Sequence, residues 1–305
     1  MAVGGVISSS NHPKASWPGV IAWWGRDYSD YKMEWKEMFD ESMSEKEYEE
    51  EVKITGFGPA SIKQRGASII YDSEFQGQVT RYRHVTYGNG YIVDMEELQD
   101  NLYAKVSQTR VQSLARSHRV MEEIVCADIY NNAFDINFPG SDGVQLLSAV
   151  HPNVTGGTFS NVLTIASDLN ETSLEDMITQ MGLAEDDRGT IIALKPQKLI
   201  VHPFNWWNAN RILESVFQND TADNAVNVLK ATNAIPGGVF QSHYLDAPNA
   251  WFLRSDAPRG LRRYTRMKAK VEKDNDFGTK NALTSAVQRF SVFYSDPLTL
   301  FGSPG

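Results

Sequence analysis

The stretch DMEELQDNLYAKVSQTRVQSLARSHRVMEEIVCADIYNNAF, residues 94–134, decides the fold. Asp94 is a good N-cap, and Glu97 stands three residues later, as in a capping box. Apolar side chains recur at helical spacing, and neither Pro nor Gly interrupts them. About forty residues at 1.5 Å each predict one helix of roughly 60 Å. The heptad pattern is not sustained, so we expect the helix to pack on a sheet and not in a coiled coil.

Downstream, residues 135–260 alternate short strands and helices, which is typical of an α+β domain with its own core. Helices are predicted at 172–181, with Thr172 and Glu175 as a capping box, and at 205–217. The strand candidates lie at 163–166, 190–194, 199–202, 239–245 and 250–253.

Residues 261–294 predict two long strands around a polar turn that holds Asn281. In the first strand, basic residues recur at period two, so we expect them on one face; they are Arg262, Arg266, Lys268 and Lys270. Between Arg254 and Lys273 there are eight basic residues against two acidic ones. This strand is interpreted as an interface or a solvated face, with proximity to phosphates as the alternative.

Upstream, residues 1–26 are rich in Gly, Ser, Pro and Asn and read as an irregular arm. The arm carries Trp17, Trp23 and Trp24. Tryptophans are unfavourable in water, so we expect the arm to lie on the rest of the chain or on a neighbouring copy.

Residues 27–53 hold eleven acidic against four basic residues, a net charge of −7. Residues 33–41 suit an amphipathic helix with Trp35, Met38 and Phe39 as its apolar strip. Two interpretations stay open for the segment. It is either a solvated helix or a partner for a basic surface elsewhere.

Residues 55–92 read as an extended hairpin, with strands at 67–75 and 79–87 and a turn at 76–78. Four charged side chains indicate that this ribbon is largely exposed; they are Lys63, Arg65, Arg81 and Arg83. A two-stranded ribbon is marginally stable alone, so it needs a partner surface.

The composition argues against several functions. The formal net charge of −9 disfavours general affinity for nucleic acid. Neither a membrane span nor a secretory signal is recognised, and the single Cys126 reads as a buried apolar residue. No two of the six histidines lie within four residues of each other, and His151-Pro152 and His202-Pro203 read as turn and cap residues. Phosphate-loop, nucleophile-elbow and zinc-protease motifs are absent, so we expect no enzyme and no cofactor.

The order of elements resembles the Hong Kong 97-type fold of tailed-bacteriophage major capsid proteins. Several stretches are also similar to the Mu-like major head subunits. They are YGNGYIVD (87–94) with ELQD (97–100), LLSAVHP (146–152) with GGT (156–158), KPQKLIV (195–201), and YLD (244–246) with AWFL (250–253). The usual Asp before His-Pro is Val150 here, so the resemblance assigns His151 no role.

The resemblance implies a domain map. Residues 1–54 would form the N-terminal arm and 55–92 the extended loop. Residues 93–134 and 261–294 would form the peripheral domain with its spine helix, and residues 135–260 and 295–305 the axial domain.

The resemblance also implies a function. The chain would self-assemble into pentamers and hexamers of an icosahedral shell around double-stranded DNA. It would work with portal, scaffold and cement proteins, contact the DNA non-specifically, and reside in virions assembled in the host cytoplasm. The alternative is an encapsulin-like cellular compartment protein of the same fold.

Two hypotheses concern assembly. Residues 27–53 are expected to lie near 254–273 of the same or another copy, so that reversing the charges of Arg262, Arg266 and Lys268 blocks assembly of folded monomers. Some members of the fold cross-link a Lys of the extended loop to an Asn of the hairpin. Lys63 and Asn281 occupy plausible regions for such a link, with no further support in the sequence.

Overall fold

The computed structural model describes residues 24–26, 28–29, 32–96, 103–217, 226–258 and 260–305, without the side chains of 103–108. Its helices are α1 (Tyr103–Asn131), α2 (Glu171–Gly182), α3 (Trp206–Glu214) and α4 (Val228–Ala231). The first six strands are β1 (Asp40–Met43), β2 (Tyr48–Ile54), β3 (Gln76–Arg83), β4 (Val85–Val93), β5 (His151–Pro152) and β6 (Thr158–Phe159). The others are β7 (Pro196–Val201), β8 (Val239–Gln241), β9 (Trp251–Ser255), β10 (Leu261–Asn275), β11 (Ala282–Tyr294) and β12 (Leu300–Ser303).

The long helix packs on a four-stranded sheet, as predicted. The sheet order is β1-β10-β11-β4, and Val111, Leu114 and Ala115 of α1 pack against Val271 and Ala286 of the sheet. Further along the helix, a second cluster buries side chains of both elements, among them Cys126, Tyr130, Leu261 and Tyr294. The apolar stripe of α1 therefore faces a sheet, and Cys126 is a buried core residue as expected.

The helix is described over 29 residues, which corresponds to about 43 Å. Met95 and Glu96 are helical as well. The predicted capping box of Asp94 includes Glu97, which lies outside the described residues.

The two long strands β10 and β11 form the predicted hairpin, with Leu261 opposite Tyr294 and Asn275 opposite Ala282. The prediction that the basic residues share one face is wrong, because the register between β10 and β11 shifts twice between Thr265 and Lys270. Arg262 lies before the shifts and is half-buried, whereas Arg266 and Lys268 lie within the shifted stretch, Lys270 lies at its end, and all three are exposed.

The second sheet has the order β12-β9-β7-β8 and holds the core of residues 135–260 together with the chain's last strand. Its main cluster includes Met177 and Met181 of α2 and Ile212 of α3. The capping box of α2 is formed by Asn170 and Ser173 and not by Thr172 and Glu175. The predicted strands at 163–166 and 190–194 are wrong; both segments are irregular apart from a single bridge at Ile191.

The predicted helix at 33–41 is wrong as well. A short 3-10 turn, Trp35–Glu37, leads directly into β1, which pairs in parallel with β10 from Asp40 opposite Arg262 to Met43 opposite Thr265. Strand pairing and contacts with basic residues outweigh the weak local helix preference. The apolar strip is nevertheless core, since Trp35, Met38 and Phe39 are all buried.

The extended hairpin at 55–92 is also corrected. Residues 67–75 contain no strand, and β3 pairs with the acidic β2 instead, where Arg81 stands opposite Glu50. The expected turn at 76–78 lies inside β3. A Cβ on Gly77 would stand 2.8 Å from the Val154 side chain, so glycine permits this close approach.

His151 forms a buried hydrogen-bonded pair with Asp142 and is not the predicted turn residue, whereas His202 caps a 3-10 turn as expected. The His151 ring is fully buried, with Nδ1 2.6 Å from Asp142 Oδ2 and Nε2 3.2 Å from the Leu146 carbonyl oxygen. Both ring nitrogens therefore face acceptor oxygens.

Replacing Asp142 by Ala should lower the free energy of unfolding of the unassembled subunit by about 2 kcal/mol, because it leaves a buried ring nitrogen of His151 without its hydrogen-bond partner. The control is His243→Ala. That ring also lies 2.6 Å from a carboxylate, that of Glu34, but is 56% exposed. Its loss should cost less than about 1 kcal/mol. Urea denaturation at pH 7 measures both, and equal effects would contradict the assigned role of burial.

Candidate assembly surfaces

The described start of the chain lies against the long helix. Trp24 is buried, stacks on Tyr28 at 5.3 Å between ring centroids, and meets the buried His118 edge-on at 5.6 Å. Trp24 therefore lies on the rest of its own chain, which is one of the two positions predicted for the arm; the other was on a neighbouring copy. Trp17 and Trp23 fall outside the described residues.

A charge cluster around the buried Arg263 joins this N-terminal segment to the helix and the large sheet. The Arg263 guanidinium lies 3.3 Å from Glu122 on α1 and 3.4 Å from Glu41 on β1, and it stacks on the Trp35 ring at 4.1 Å. The Tyr28 hydroxyl donates to Glu122 at 2.6 Å. One arginine thus connects three elements distant in sequence.

Glu123 holds the entry to the 3-10 turn. Its carboxylate accepts hydrogen bonds from the backbone amides of Glu34 and Trp35, both at 2.9 Å. Burial raises the pKa of Glu123 to about 7; the two amides oppose this shift, and the charges of Glu34 and Glu122 add to it. The carboxylate that anchors the N-terminal segment therefore titrates near neutral pH.

The acidic segment and the basic strand meet within one copy, which confirms the predicted proximity of 27–53 and 254–273. Asp40 pairs with Arg254 at 2.7 Å and Glu51 with Arg262 at 2.8 Å. The Tyr264 hydroxyl also donates to Glu51 at 2.7 Å. The pairing corrects the expected effect of charge reversal at Arg262, which should disturb the folded subunit as well as any assembly.

The remaining predicted interface residues are mostly on the surface. Lys63, Arg65 and Arg83 are exposed, and Arg81 pairs with Glu50 at 2.6 Å. Asn281 accepts a hydrogen bond from the Met95 amide, at the start of the helical residues 95–96. These contacts do not test the cross-link with Lys63, which stays a prediction.

The loop between β2 and β3 presents apolar side chains to solvent. Residues 59–76 are all exposed, and the exposed fractions of Ile62 and Tyr71 are 94% and 90%. Hydrogen bonds between Thr55 and Phe75 close the base of the loop. Apolar groups so fully exposed are typical of interaction surfaces.

Among the described residues, no three His, Cys, Asp or Glu side chains group in a way that would hold a metal ion. In the same part of the chain, no helix combines the length and apolar character needed to cross a membrane.

Sequence reasoning missed the carboxylates that organise this region. Glu122 and Glu123 follow His118 by four and five residues, so they border the apolar stripe of the helix. Charged side chains beside a core-facing stripe indicate a buried partner, and that signal could have been used.

The raised pKa of Glu123 predicts a pH dependence. The folded subunit binds this proton more tightly than the unfolded chain does, so stability is present at low pH and is lost as pH rises through about 7. This group should lower the free energy of unfolding by about 1 kcal/mol between pH 6 and pH 8.

Glu123→Gln should abolish that decrease, and the exposed Glu47→Gln should keep it. Burial lowers the pKa of His84 and His118, and both histidines are present in the wild type and in both variants, so their contribution is common to all three proteins. Urea denaturation at pH 6, 7 and 8 measures how the free energy of unfolding of each protein changes with pH. If this change is as large in Glu123→Gln as in the wild type, Glu123 is not the group responsible for it.

Three solved structures share the fold. The capsid of a native GTA particle matches with a TM-score of 0.54 and 12% identity, over 88% of this chain and 89% of that one. The capsid of cyanophage P-SCSP1u gives 0.52 and 10%, over 89% and 87%. A virus-like particle from Pyrococcus furiosus gives 0.51 and 10%, over 93% and 97%. These matches confirm the α+β, Hong Kong 97-type fold; they do not test the Mu-like branch.

No curated protein matches the chain significantly. The model of the family described as phage capsid protein matches residues 77–301, which is more than half of the 305 residues. This match includes the long helix, the basic strand β10 and the other strands from β4 to β11. The chain therefore belongs to the phage capsid protein family and is a major capsid protein, a structural component of the virion.

Proposed function

We propose that the protein assembles with copies of itself into pentamers and hexamers of an icosahedral shell that encloses double-stranded DNA, and that it acts by assembly without catalysis. The loop between β2 and β3 carries this proposal. A subunit that leaves Ile62, Ile70 and Tyr71 exposed needs a neighbour to bury them. In a shell, copies of the same chain supply that neighbour.

The proposed domain map follows the two sheets. The larger sheet with α1 would be the peripheral domain, and the smaller sheet with α2 and α3 the axial domain. Residues 1–54 would be the arm. Within this range, β1 pairs with β10 of the larger sheet and β2 pairs with β3. Portal, scaffold and cement proteins would be the further partners, and assembly would take place in the host cytoplasm.

The exposed cations Arg266, Lys268 and Lys270 are proposed as contacts between copies. They stand where β10 continues beyond the end of β1, so β1 does not cover them, although Lys270 lies 2.7 Å from Glu272. Contact with packaged DNA at these residues would be independent of base sequence. The encapsulin-like alternative shares the fold, and the phage capsid family match favours the viral role.

Electron microscopy of the purified protein, expressed alone and with its neighbouring genes, tests the assembly. Closed shells are the expected product. If no particles form under any of these conditions while the monomer stays folded, the shell role is refuted.

Replacing Ile62, Ile70 and Tyr71 together by Ser should abolish shells, because the loop then loses the apolar surface that a neighbour buries. The thermal unfolding midpoint of the monomer should stay unchanged, since all three side chains are exposed. The conservative control, with Leu, Leu and Phe at these positions, should assemble. Sedimentation velocity measures assembly, and normal shells from the Ser variant would contradict the role of the loop.

Arg266→Glu with Lys268→Glu should leave the monomer folded and block assembly, because both side chains are exposed. Arg262→Glu should instead lower the free energy of unfolding by about 2 kcal/mol, since it places two carboxylates together in a half-buried site. Urea denaturation and sedimentation velocity separate the two effects. Normal shells from the double variant would contradict the proposal that Arg266 and Lys268 contact a neighbouring copy.

A further inference from the structure

The turn at residues 186–190 is rigid and faces the base of the exposed loop. The Asp186 carboxylate accepts hydrogen bonds from the amides of Arg188 at 2.8 Å and Thr190 at 2.9 Å. The Asp186 amide donates to the Thr190 carbonyl oxygen at 2.8 Å, and Gly189 takes a φ of +74°, which favours glycine. Its side chains are therefore held in a fixed direction.

Two consecutive residues of this turn bind the two sides of the loop. Asp187 is buried and pairs with Lys53, at the end of β2, with a distance of 3.1 Å. Asp187 also accepts a hydrogen bond from the Val154 amide at 3.0 Å. The side of the loop that leaves β2 is thus fastened to the turn by an ion pair of low exposure.

Arg188 binds the returning side. Its Nη1 lies 3.0 Å and 3.2 Å from the two carboxylate oxygens of Asp72, and its Nη2 donates to the Ser73 carbonyl oxygen. Its guanidinium carbon lies 5.8 Å from the centre of the Phe75 ring. The Arg188 side chain is only 15% exposed, so this contact is well packed.

Asp72 ties the two sides of the loop to each other. Its carboxylate accepts hydrogen bonds from the amides of Gly58, on the outgoing side, and Ser73, on the returning side, both at 2.8 Å. These amides, and then Arg188, lower the pKa of Asp72. The charged carboxylate of Asp72 thus binds Gly58, Ser73 and Arg188 at the same time.

We propose that the Asp72–Arg188 pair is a clasp that sets the direction of the loop between β2 and β3 before a neighbouring copy contacts it. Among the described residues, the hydrogen bonds and ion pairs that join residues 56–74 to the rest of the subunit all involve Arg188. Without that side chain, the loop is attached at its base alone. The proposal rests on the proposed function, in which a neighbour covers the loop. Arg188 is a positioning residue, since it acts on the neighbour through the loop.

The clasp can be measured without assembly. Spin labels on Gln64→Cys, in the loop, and Glu175→Cys, on α2, report the distance between loop and subunit by double electron–electron resonance. The native Cys126 is fully buried, so it should not take up label. Unassembled wild-type subunits should give a narrow distribution, and Arg188→Ala and Asp72→Ala should each at least double its width.

The double variant should be broadened by less than the sum of the two single variants, because both substitutions remove the shared Asp72–Arg188 contact and each also removes hydrogen bonds of its own. The exposed Lys195→Ala is the control and should stay narrow. The thermal unfolding midpoint of Asp72→Ala should stay within about 2 °C of the wild type, because the Asp72 side chain is 43% exposed. A distribution for Arg188→Ala as narrow as that of the wild type would overturn the clasp, as would a double variant whose broadening is the sum of the two.

Assembly kinetics by light scattering supply the functional readout. Arg188→Ala should lower the rate of shell formation severalfold, while Lys195→Ala leaves it unchanged. If wild-type subunits never assemble, the proposed function fails, and the spin-label distances still decide the clasp. If wild type and Arg188→Ala assemble equally fast, the clasp does not position the loop for a neighbour, and the shell function stands.

Discussion

The buried guanidinium of Arg263 is the interaction on which most of this subunit depends. It reaches Glu122 on the long helix and Glu41 on the first strand, and its own strand β10 pairs with β1 and β11. Helix, sheet and N-terminal segment therefore share one charge cluster, in which Arg263 and Glu122 are buried and Glu41 is exposed. A buried cation such as Arg263 is costly without a partner, so its carboxylate contacts favour the arrangement in which the three elements lie together.

The cluster also explains how an acidic chain segment is used. Residues 27–53 carry a net charge of −7, and isolated they would repel one another. In the fold, Asp40, Glu41 and Glu51 face Arg254, Arg263 and Arg262. The first part of the basic strand is thereby neutralised within the subunit. Its continuation from Arg266 onward stays exposed, which divides one strand into an internal and an external half.

A shell subunit has to be stable alone and incomplete at the same time. The two sheets and the long helix provide the stable part, with side chains such as Trp35, Tyr130 and Trp251 fully buried. The loop between β2 and β3 provides the incomplete part, because its side chains Ile62, Ile70 and Tyr71 are largely exposed. The turn at 186–190 connects the two parts, since it belongs to the stable body and holds the base of the projecting loop.

The sequence by itself determined the long helix, the hairpin of β10 and β11, the burial of Trp35 and Cys126, and the attraction between the acidic segment and the basic strand. These follow from local periodicity and from charge. Only the tertiary structure decided that residues 33–43 form a turn and a strand, that β3 pairs with β2, and that the basic face is split by register shifts. Arg263 and Glu41 are 222 residues apart, and Arg188 and Asp72 are 116 apart. Local spacing carries no record of such contacts, because they exist only when distant strands have already been brought together.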